Sequence, residues 1–166
     1  MDTDDLRLQL GLLRFCDTLP PDAVAEMATA ARLADFAPGT VLFREGGKNG
    51  DLHLIVEGRV ALEMNVPGRG KITILTLGTG DLVGWSALIG SGGMTTTAVA
   101  LEATRTIAFA GPTLLAVCQR NHSVGYQLMR RLANSLAGRL TATRLQLLDL
   151  FHDEAPAINT QREAPT

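Results

Sequence analysis

The middle of the chain, from about residue 33 to residue 110, is a series of short β-rich segments cut by glycine-containing turns. The pair Glu57-Gly58 predicts a tight bend between two segments, and 67–70 predicts a turn that lets 71–77 pair with the preceding segment. Short, evenly spaced segments are typical of a sandwich, jelly roll or barrel rather than of an open parallel sheet. The predicted strands, seven or eight in all, include 40–43, 52–56, 59–64, 71–77, 81–83, 97–101 and 106–109.

Helical patterns flank this section on both sides. Residues 1–32 carry apolar residues at three- and four-residue spacing, with a Pro-Pro-Asp helix start signal at 20–22. After the Gly-Pro pair at 111–112 the helical period returns, first over 113–118 and then over a longer segment at about 123–151. The sequence therefore predicts a mainly β fold with flanking α-helices. We expect an eight-stranded, jelly-roll-like β-roll with N-terminal helices and a long C-terminal helix.

The C-terminal helix carries a single apolar stripe. A helix over 123–151 is about 40 Å long at 1.5 Å per residue, longer than a β-domain of this size. Part of the stripe therefore needs a second surface, either the chain's own β-domain or, as we expect, a parallel coiled coil with a second copy. Residues 153–166 show no apolar period and are predicted to be a flexible tail, so the domain covers 1–152. The predicted dimer contacts are Leu132, Leu136, Leu140, Thr143 and Leu147.

Composition excludes several classes of protein. With 166 residues, 46% of them hydrophobic and 19% charged, the chain is globular and suits one domain. The 15 Lys and Arg against 17 Asp and Glu give a formal charge of -2, which argues against DNA binding through this chain. No apolar run reaches the roughly 18 residues of a membrane helix, and the acidic start at 2–5 is unlike a signal peptide. We therefore expect a cytoplasmic protein without membrane contacts.

Motifs for catalysis and metal binding are weak or missing in the sequence. There is no nucleophile elbow, Walker loop or HExxH motif, so no catalysis is predicted. Cys16 and Cys118 lie far apart in apolar surroundings and are expected to be buried free thiols. Haem or metal sensing is a separate hypothesis that rests on these cysteines, His53, His122 and five Met, but no two of them have ligand spacing. His53 is explained as a satisfied strand residue.

One stretch needs more than a strand-and-turn explanation. Residues 80–88 read Gly-Asp-Leu-Val-Gly-Trp-Ser-Ala-Leu, and a run of three threonines and an alanine follows at 95–98. Gly84 lets the backbone approach another group closely, and 86–89 is small enough for one helical turn, whose first N–H groups can bind an anion. Glycine-rich turns between strands are usually only turns, so the pattern is weak by itself.

The context makes the pattern specific. The order of helix, eight-stranded roll, short helix and long helix over about 15–150 resembles the cyclic nucleotide-binding domain. It is most similar to the effector half of the bacterial catabolite activator and fumarate-nitrate regulator family. The resemblance implies a non-catalytic regulatory domain in which a ligand in the β-roll is coupled to a dimerising C-terminal helix. The motifs that carry it are Pro-Gly-Thr-Val-Leu at 38–42 with Glu-Gly at 45–46, Leu-Ile-Val-Glu-Gly-Arg-Val at 54–60, and Leu-Gly-Thr-Gly-Asp-Leu-Val-Gly at 77–84.

Two positions depart from the family pattern. The resemblance places a Glu for the ribose 2'-hydroxyl where this chain has Trp85, and an Arg for the cyclic phosphate where it has Thr96. A charge-assisted hydrogen bond contributes roughly 1.5–3 kcal/mol, so cAMP is not expected in the usual pose. Arg130, Arg131 or Arg144 of the long helix is a possible source of the cation. The predicted ligand-binding residues are Gly84, Trp85, Ser86, Ala87, Thr95, Thr96, Thr97, Ala98 and Arg144.

The ligand and the partner stay open. A cyclic nucleotide or another small planar ligand can stack on Trp85 among the hydroxyls. In the alternative, Trp85 fills a vestigial pocket and the chain is a protein-interaction module that binds no nucleotide. In DNA-binding members of the family a winged helix-turn-helix follows the long helix, and the 15 residues after Phe151 are too few for one. The resemblance thus predicts a stand-alone regulatory module, with a second copy or another protein as its partner.

Overall fold

The computed structural model describes residues 3–11, 16–17, 19–90 and 93–153, and of 3–5 and 146–153 it describes the backbone only. The described helices are α1 (Thr3–Gly11), α2 (Pro21–Ala28), α3 (Gly111–Arg120) and α4 (His122–Asp153). The described strands are β1 (Ala31–Phe36), β2 (Val41–Phe43), β3 (Asp51–Glu57), β4 (Val60–Val66), β5 (Gly70–Leu77), β6 (Leu82–Val83), β7 (Thr97–Ala100) and β8 (Thr104–Ala110). A single 3-10 turn, Trp85–Ala87, follows β6.

The strands form two four-stranded antiparallel sheets. The first has the order β1-β8-β3-β6 and the second the order β2-β7-β4-β5. β4 and β5 are a hairpin in which Val66 lies opposite Gly70, as the turn at 67–70 predicts. Eight strands in a roll, N-terminal helices and a long C-terminal helix confirm the predicted fold class.

The bend at Glu57-Gly58 carries the chain from the first sheet to the second. β3 ends at Glu57, and β4 begins at Val60 in the other sheet. Gly58 has a φ of +90°, and a Cβ there would lie 2.6 Å from the carbonyl oxygen of Ala103 and 2.8 Å from the Cα of Thr104. Glycine is therefore required both by the backbone conformation and by the space. The sequence predicts the bend, but a local pattern does not distinguish a hairpin from a crossover between sheets.

Two apolar clusters stabilise the fold. The helical cluster packs the four helices against the first sheet, and it includes Leu10, Met27, Leu54, Phe109, Leu114, Val124, Leu128 and Leu132. The roll cluster fills the space between the sheets, and it consists of Phe43, Ile55, Val60, Leu62, Leu77, Val83, Met94 and Ala98. Because the first half of α4 belongs to the helical cluster, that half is fixed against its own domain.

The structure differs from the prediction where the β-section begins and where the long helix ends. Residues 31–32 were assigned to a helix but begin β1, a strand absent from the predicted set, with Ala31 opposite Phe109 of β8. The segment lacks a strict alternation of buried and exposed residues, so it has no clear strand signal. Asp153 is the last residue of α4 rather than the first of a tail. The remainder of the predicted flexible tail, 154–166, lies outside the described residues.

We predict that Gly58→Ala destabilises the protein more than Gly39→Ala does. Both glycines have a positive φ, +90° and +80°, so each substitution costs about 1 kcal/mol in backbone strain. Among the described atoms, however, none lies within 4 Å of a Cβ built on Gly39. Overlap with backbone at Gly58 should add about 1–3 kcal/mol. Urea unfolding of the two variants measures the difference, and equal losses would contradict the close approach at the bend.

Candidate ligand-binding site

The 3-10 turn is positioned by a close contact at Gly84. Gly84 has a φ of +81°, and a Cβ there would lie 2.7 Å from the carbonyl oxygen of Asp51 and 3.0 Å from Nδ2 of Asn49. The Asn49 amide donates a hydrogen bond to the same Asp51 carbonyl at 2.6 Å. The close backbone approach predicted at Gly84 is thus an approach to β3. It fixes the turn against the first sheet.

A small cavity lies between this turn and the segment that leads into β7. Its volume is about 20 Å³, room for about one water molecule, so it must widen to admit a larger ligand. The wall combines predicted site residues with apolar residues of the roll cluster and one cation. It is lined by Gly84, Trp85, Ser86, Thr95 and Thr96, by Phe43, Leu62 and Met94, and by Arg139 of α4.

Three other predicted site residues are not part of this wall. Ala98 is buried in the roll cluster. The Thr97 hydroxyl accepts a hydrogen bond from the backbone N–H of Glu45 at 3.0 Å. Ala87 ends the 3-10 turn, and its carbonyl oxygen would lie 2.5 Å from a Cβ on Gly111, at the start of α3. These residues hold the backbone around the cavity rather than line it.

The structure does not bring Arg144 to the cavity. Arg144 is exposed and lies outside the cavity wall, whereas Arg139, five residues earlier on α4, lines it. Five residues rotate a helix by about 500°, which leaves the two side chains about 140° apart around the axis. Arg130 is also exposed, and Arg131 lies near the thiol of Cys16. The cation at the site is therefore Arg139, which the sequence reasoning missed.

The sequence does contain a signal for Arg139. Leu128 and Leu132 are buried on the inward face of α4. Arg139 follows Leu132 by seven residues, which is close to two full helical turns, so it continues the same face. An apolar residue at position 139 would extend the buried stripe of α4. The arginine found there indicates that the inward face of the helix no longer packs against apolar core at this point.

The guanidinium of Arg139 has a buried nitrogen that lacks a hydrogen-bond partner. Among the described residues none accepts a hydrogen bond from Nη2. Burial lowers the pKa of Arg139, and the nearby Asp81 carboxylate partly offsets this effect. The Asp81 carboxylate accepts a hydrogen bond from the backbone N–H of Gly78 at 2.9 Å. The cavity wall thus contains a desolvated cation with unused hydrogen-bonding capacity.

A second, larger cavity lies between β5 and α4. Its volume is about 320 Å³, within the range of small-molecule sites. Arg139 and Asp81 line it together with Leu75, Thr76 and Leu77 of β5 and Asn134, Ser135, Gly138 and Ala142 of α4. Arg139 lines both cavities, so the two sites share this residue of α4.

Trp85 connects the small cavity to the helices. It is half-buried, lines the cavity and packs against the helical cluster. That cluster includes Leu128 and Leu132 of α4. Leu88, just after the 3-10 turn, packs against the same cluster. A change in the position of Trp85 therefore reaches the helical layer through direct packing.

Comparison with known proteins identifies the family. Residues 33–121 match the profile described as "Cyclic nucleotide-binding domain". The chain belongs to this family. This match confirms the family that the motifs at 38–42, 54–60 and 77–84 indicate.

Relatives of this cyclic nucleotide-binding domain protein include bacterial regulators. The chain is 25% identical over 153 residues to the CRP-like cAMP-activated global transcriptional regulator of Mycobacterium tuberculosis, with coverage of 92% of this chain and 65% of that protein. It is 32% identical over 120 residues to the cyclic AMP receptor protein of Thermus thermophilus, with coverage of 72% and 54%. The chain thus spans less than two-thirds of the length of either relative.

A solved structure shows the same fold. The crystal structure of a cyclic nucleotide-binding domain from Methylobacillus flagellatus superposes with a TM-score of 0.76 at 18% identity, over 89% of this chain and 83% of that chain.

In the cyclic nucleotide-binding domain described here, Thr96 lines the cavity at the position where the family resemblance places an arginine. Of the residues that line the small cavity, the cation is Arg139 on α4.

Within the described ranges, the other candidate groups do not form a metal site. Among the described residues there is no cluster of three or more His, Cys, Asp or Glu that suits a metal ion. Burial raises the pKa of the Cys16 thiol to about 11, which keeps it protonated at neutral pH.

No helix in the described part of the chain is both long and apolar enough to span a bilayer.

His53 is a buried structural residue. Its Nδ1 lies 3.1 Å from the Thr106 hydroxyl, and its ring meets Phe36 edge-on with centroids 5.7 Å apart. Burial lowers the pKa of His53 to about 4. The imidazole is therefore neutral in the folded protein at physiological pH, as expected of a satisfied strand residue.

We predict that His53 makes the fold less stable as the pH falls from about 6.5 to about 4, because the imidazole binds a proton in the unfolded chain and stays neutral in the folded protein. In this window the unfolded chain binds more protons than the folded chain, so the free energy of unfolding decreases with falling pH. The pKa difference corresponds to about 3 kcal/mol. Urea unfolding from pH 7 to pH 4 should show that His53→Gln loses this part of the slope. The exposed control His122→Gln should keep it, and identical slopes in all three proteins would contradict the assignment.

Proposed function

We propose that this chain is a non-catalytic regulatory domain that binds a small ligand in the β-roll and transmits its presence through α4 to a second copy of the chain. The observation that supports this proposal is that α4 has buried residues in the core, a residue in the walls of the cavities and exposed leucines on its outer side. Val124, Leu128 and Leu132 anchor it in the helical cluster, Arg139 lines the cavities, and Leu140 is exposed. One rigid element thus connects the core, the site and the outer surface.

The coupling between ligand and helix follows from the packing. A ligand larger than about 20 Å³ has to displace part of the cavity wall. The wall residues that connect to the helices are Trp85, which packs against the helical cluster, and Arg139, which belongs to α4. Either displacement changes how α4 lies on the domain. A ligand shifts such an equilibrium only by its difference in affinity for the two arrangements.

The proposed dimer contact uses the outer part of the predicted stripe. Leu132 is only 1% exposed and belongs to the domain's own core, so we leave it out of the contact. Leu136 is half-buried, Leu140 is 54% exposed, and Thr143 is exposed. The side chain of Leu147 lies outside the described residues. Steps of four, three and four residues from 136 to 147 match the heptad spacing of a coiled coil.

A second candidate function is supported by the size of the small cavity. A cavity of about 20 Å³ with an indole in its wall is also what a domain that binds no nucleotide and acts through its surface would have. In that case α4 and its exposed leucines bind another protein. Ligand binding discriminates between the two functions.

The dimer is tested with two leucines on the same helix. Leu140→Glu should convert the protein to a monomer, because it places a charge in the apolar contact. Leu145 is 57% exposed but lies about 140° around the helix from Leu140, so Leu145→Glu is a matched control that should stay dimeric. Light scattering at tens of micromolar measures both masses. A monomeric wild-type protein, or equal loss of dimer in both variants, would overturn the proposed contact.

Ligand binding is tested by a thermal-shift series with cAMP, cGMP and cyclic dinucleotides up to millimolar concentration. A ligand at about 100 times its dissociation constant stabilises the folded protein by roughly 2.7 kcal/mol. We expect a dose-dependent rise of the melting temperature with a cyclic mononucleotide. No shift with any of these compounds would favour the interaction module.

A further inference from the structure

A side-chain contact joins an N-terminal helix to the start of the long C-terminal helix. Nδ2 of Asn121 donates a hydrogen bond of 3.1 Å to Oε1 of Glu26 on α2, across 95 positions of the chain. Asn121 lies between α3 and α4 with an extended backbone, at a φ of -123° and a ψ of 93°. Both residues are half-buried. This contact, the α2–α4 latch, therefore acts at the point where the chain turns from α3 into α4.

The same asparagine caps α4. Its Oδ1 accepts a hydrogen bond from the backbone N–H of Val124 at 3.2 Å. Its carbonyl oxygen accepts another from the backbone N–H of Gly125 at 3.0 Å. A cap of this kind satisfies N–H groups in the first turn that have no partner inside the helix. The side-chain oxygen of Asn121 thus binds α4 while its amide N–H binds Glu26, so one side chain fixes the first turn of α4 relative to α2.

The packing around the latch is close but mostly apolar. A Cβ on Gly125 would lie 3.1 Å from the carbonyl oxygen and 3.2 Å from the Cβ of Cys118, so α3 and α4 approach each other tightly. The fully buried apolar residues that the three helices contribute include Met27, Val117 and Val124. Apolar contacts are non-directional, whereas a hydrogen bond constrains both distance and angle. The latch therefore adds a directional constraint that the core packing does not supply.

The distances along α4 connect the latch to the outer half of the helix. Leu128 and Leu132 hold α4 in the helical cluster. Their midpoint lies about 14 Å from Asn121 and about 15 Å from Leu140 along the axis, at about 1.5 Å per residue. A straight helix held between its ends turns about that point, so a shift of about 1 Å at the latch displaces residue 140 by about the same amount. The outer half carries Arg139 of the cavity walls and the exposed Leu140.

We propose that Glu26 is a positioning residue of α4: through Asn121 it fixes the inner end of the helix against α2 and so sets where the outer end lies beside β5. Opening the latch changes the width of the larger cavity between β5 and α4 and the direction in which Leu140 is presented. This inference goes beyond the proposed function, because the position of α4 is a property of the ligand-free chain. It is independent of nucleotide binding and of the dimer.

A contact that only stabilises the fold gives different expectations. Loss of Glu26 would then lower the melting temperature without moving α4, as would the loss of another carboxylate on α2. Asp22 provides this comparison, because it is exposed in the first turn of the same helix. A negative charge at that position favours the helix, so its removal weakens α2 without touching the latch.

The test measures the direction of α4 in the ligand-free protein. Residual dipolar couplings of the backbone N–H groups give the angle between the axis of residues 122–145 and the strands of the β-roll. Glu26→Ala removes the acceptor and should tilt α4 by about 5° or more, which displaces residue 140 by about 1 Å. Glu26→Gln keeps an acceptor oxygen for Asn121 and should keep the wild-type direction. Asp22→Ala is the matched control and should keep it as well.

A charge exchange tests the contact itself. Asn121→Asp still caps α4, because Asp and Asn are about equally good at this position. It places a second carboxylate against Glu26, however, and should tilt α4 as Glu26→Ala does. The double variant Glu26→Lys with Asn121→Asp replaces the hydrogen bond by an ion pair and should return the axis to the wild-type direction.

Three results would overturn the inference. If α4 keeps the wild-type direction in both Glu26→Ala and Asn121→Asp, the contact does not position the helix, whatever the melting temperature. If Asp22→Ala tilts α4 as much as Glu26→Ala does, weakening of α2 rather than loss of the latch moves the helix. If the double variant stays as tilted as Asn121→Asp, the two residues do not act through each other. None of these results depends on nucleotide binding, which the thermal-shift series measures separately.

Discussion

The site depends on how the first half of α4 packs against the domain. Val124, Leu128 and Leu132 are at most 1% exposed and lie in the helical cluster with residues of the first sheet. A helix anchored at three successive inward positions cannot rotate about its axis without exposing apolar surface, at about 25 cal/mol per Å². This anchoring sets the direction of every later side chain on α4. Arg139 then faces the cavities, and Leu140, one residue further, is exposed.

The second constraint is the turn that begins at Gly84. Because Gly84 approaches the Asp51 carbonyl so closely, the 3-10 turn Trp85–Ala87 has a fixed place between β3 and the helical layer. Trp85 therefore lines the cavity on one side and packs against the helical cluster on the other. Ser86, Thr95 and Thr96 contribute hydroxyl groups to the cavity wall, and the positive charge in the wall comes from Arg139 of α4.

The sequence predicted most of the fold because its signals were local and repeated. The glycine-containing turns predicted the positions of β3, β4 and β5 and the hairpin between β4 and β5. The spacing of the leucines predicted α4. β1 was missed because Ala31–Phe36 has no regular alternation and is defined by its pairing with β8. Five site residues, Gly84, Trp85, Ser86, Thr95 and Thr96, were found from the motif, since the cavity wall follows the chain there. The sequence predicts Arg144 and not Arg139, because the arginine that faces the cavities is determined by the rotation of the helix about its axis, which long-range packing sets.

Trp85 is the only tryptophan in the chain, so its fluorescence reports on the cavity directly. The central claim is that a nucleotide enters this cavity and alters the packing of Trp85 against the helical layer. The measurement is a titration of the intrinsic emission with cAMP and with cGMP up to millimolar concentration. The account predicts a saturable change in the wavelength or intensity of emission with at least one of the two. Emission that stays constant throughout both titrations would contradict it.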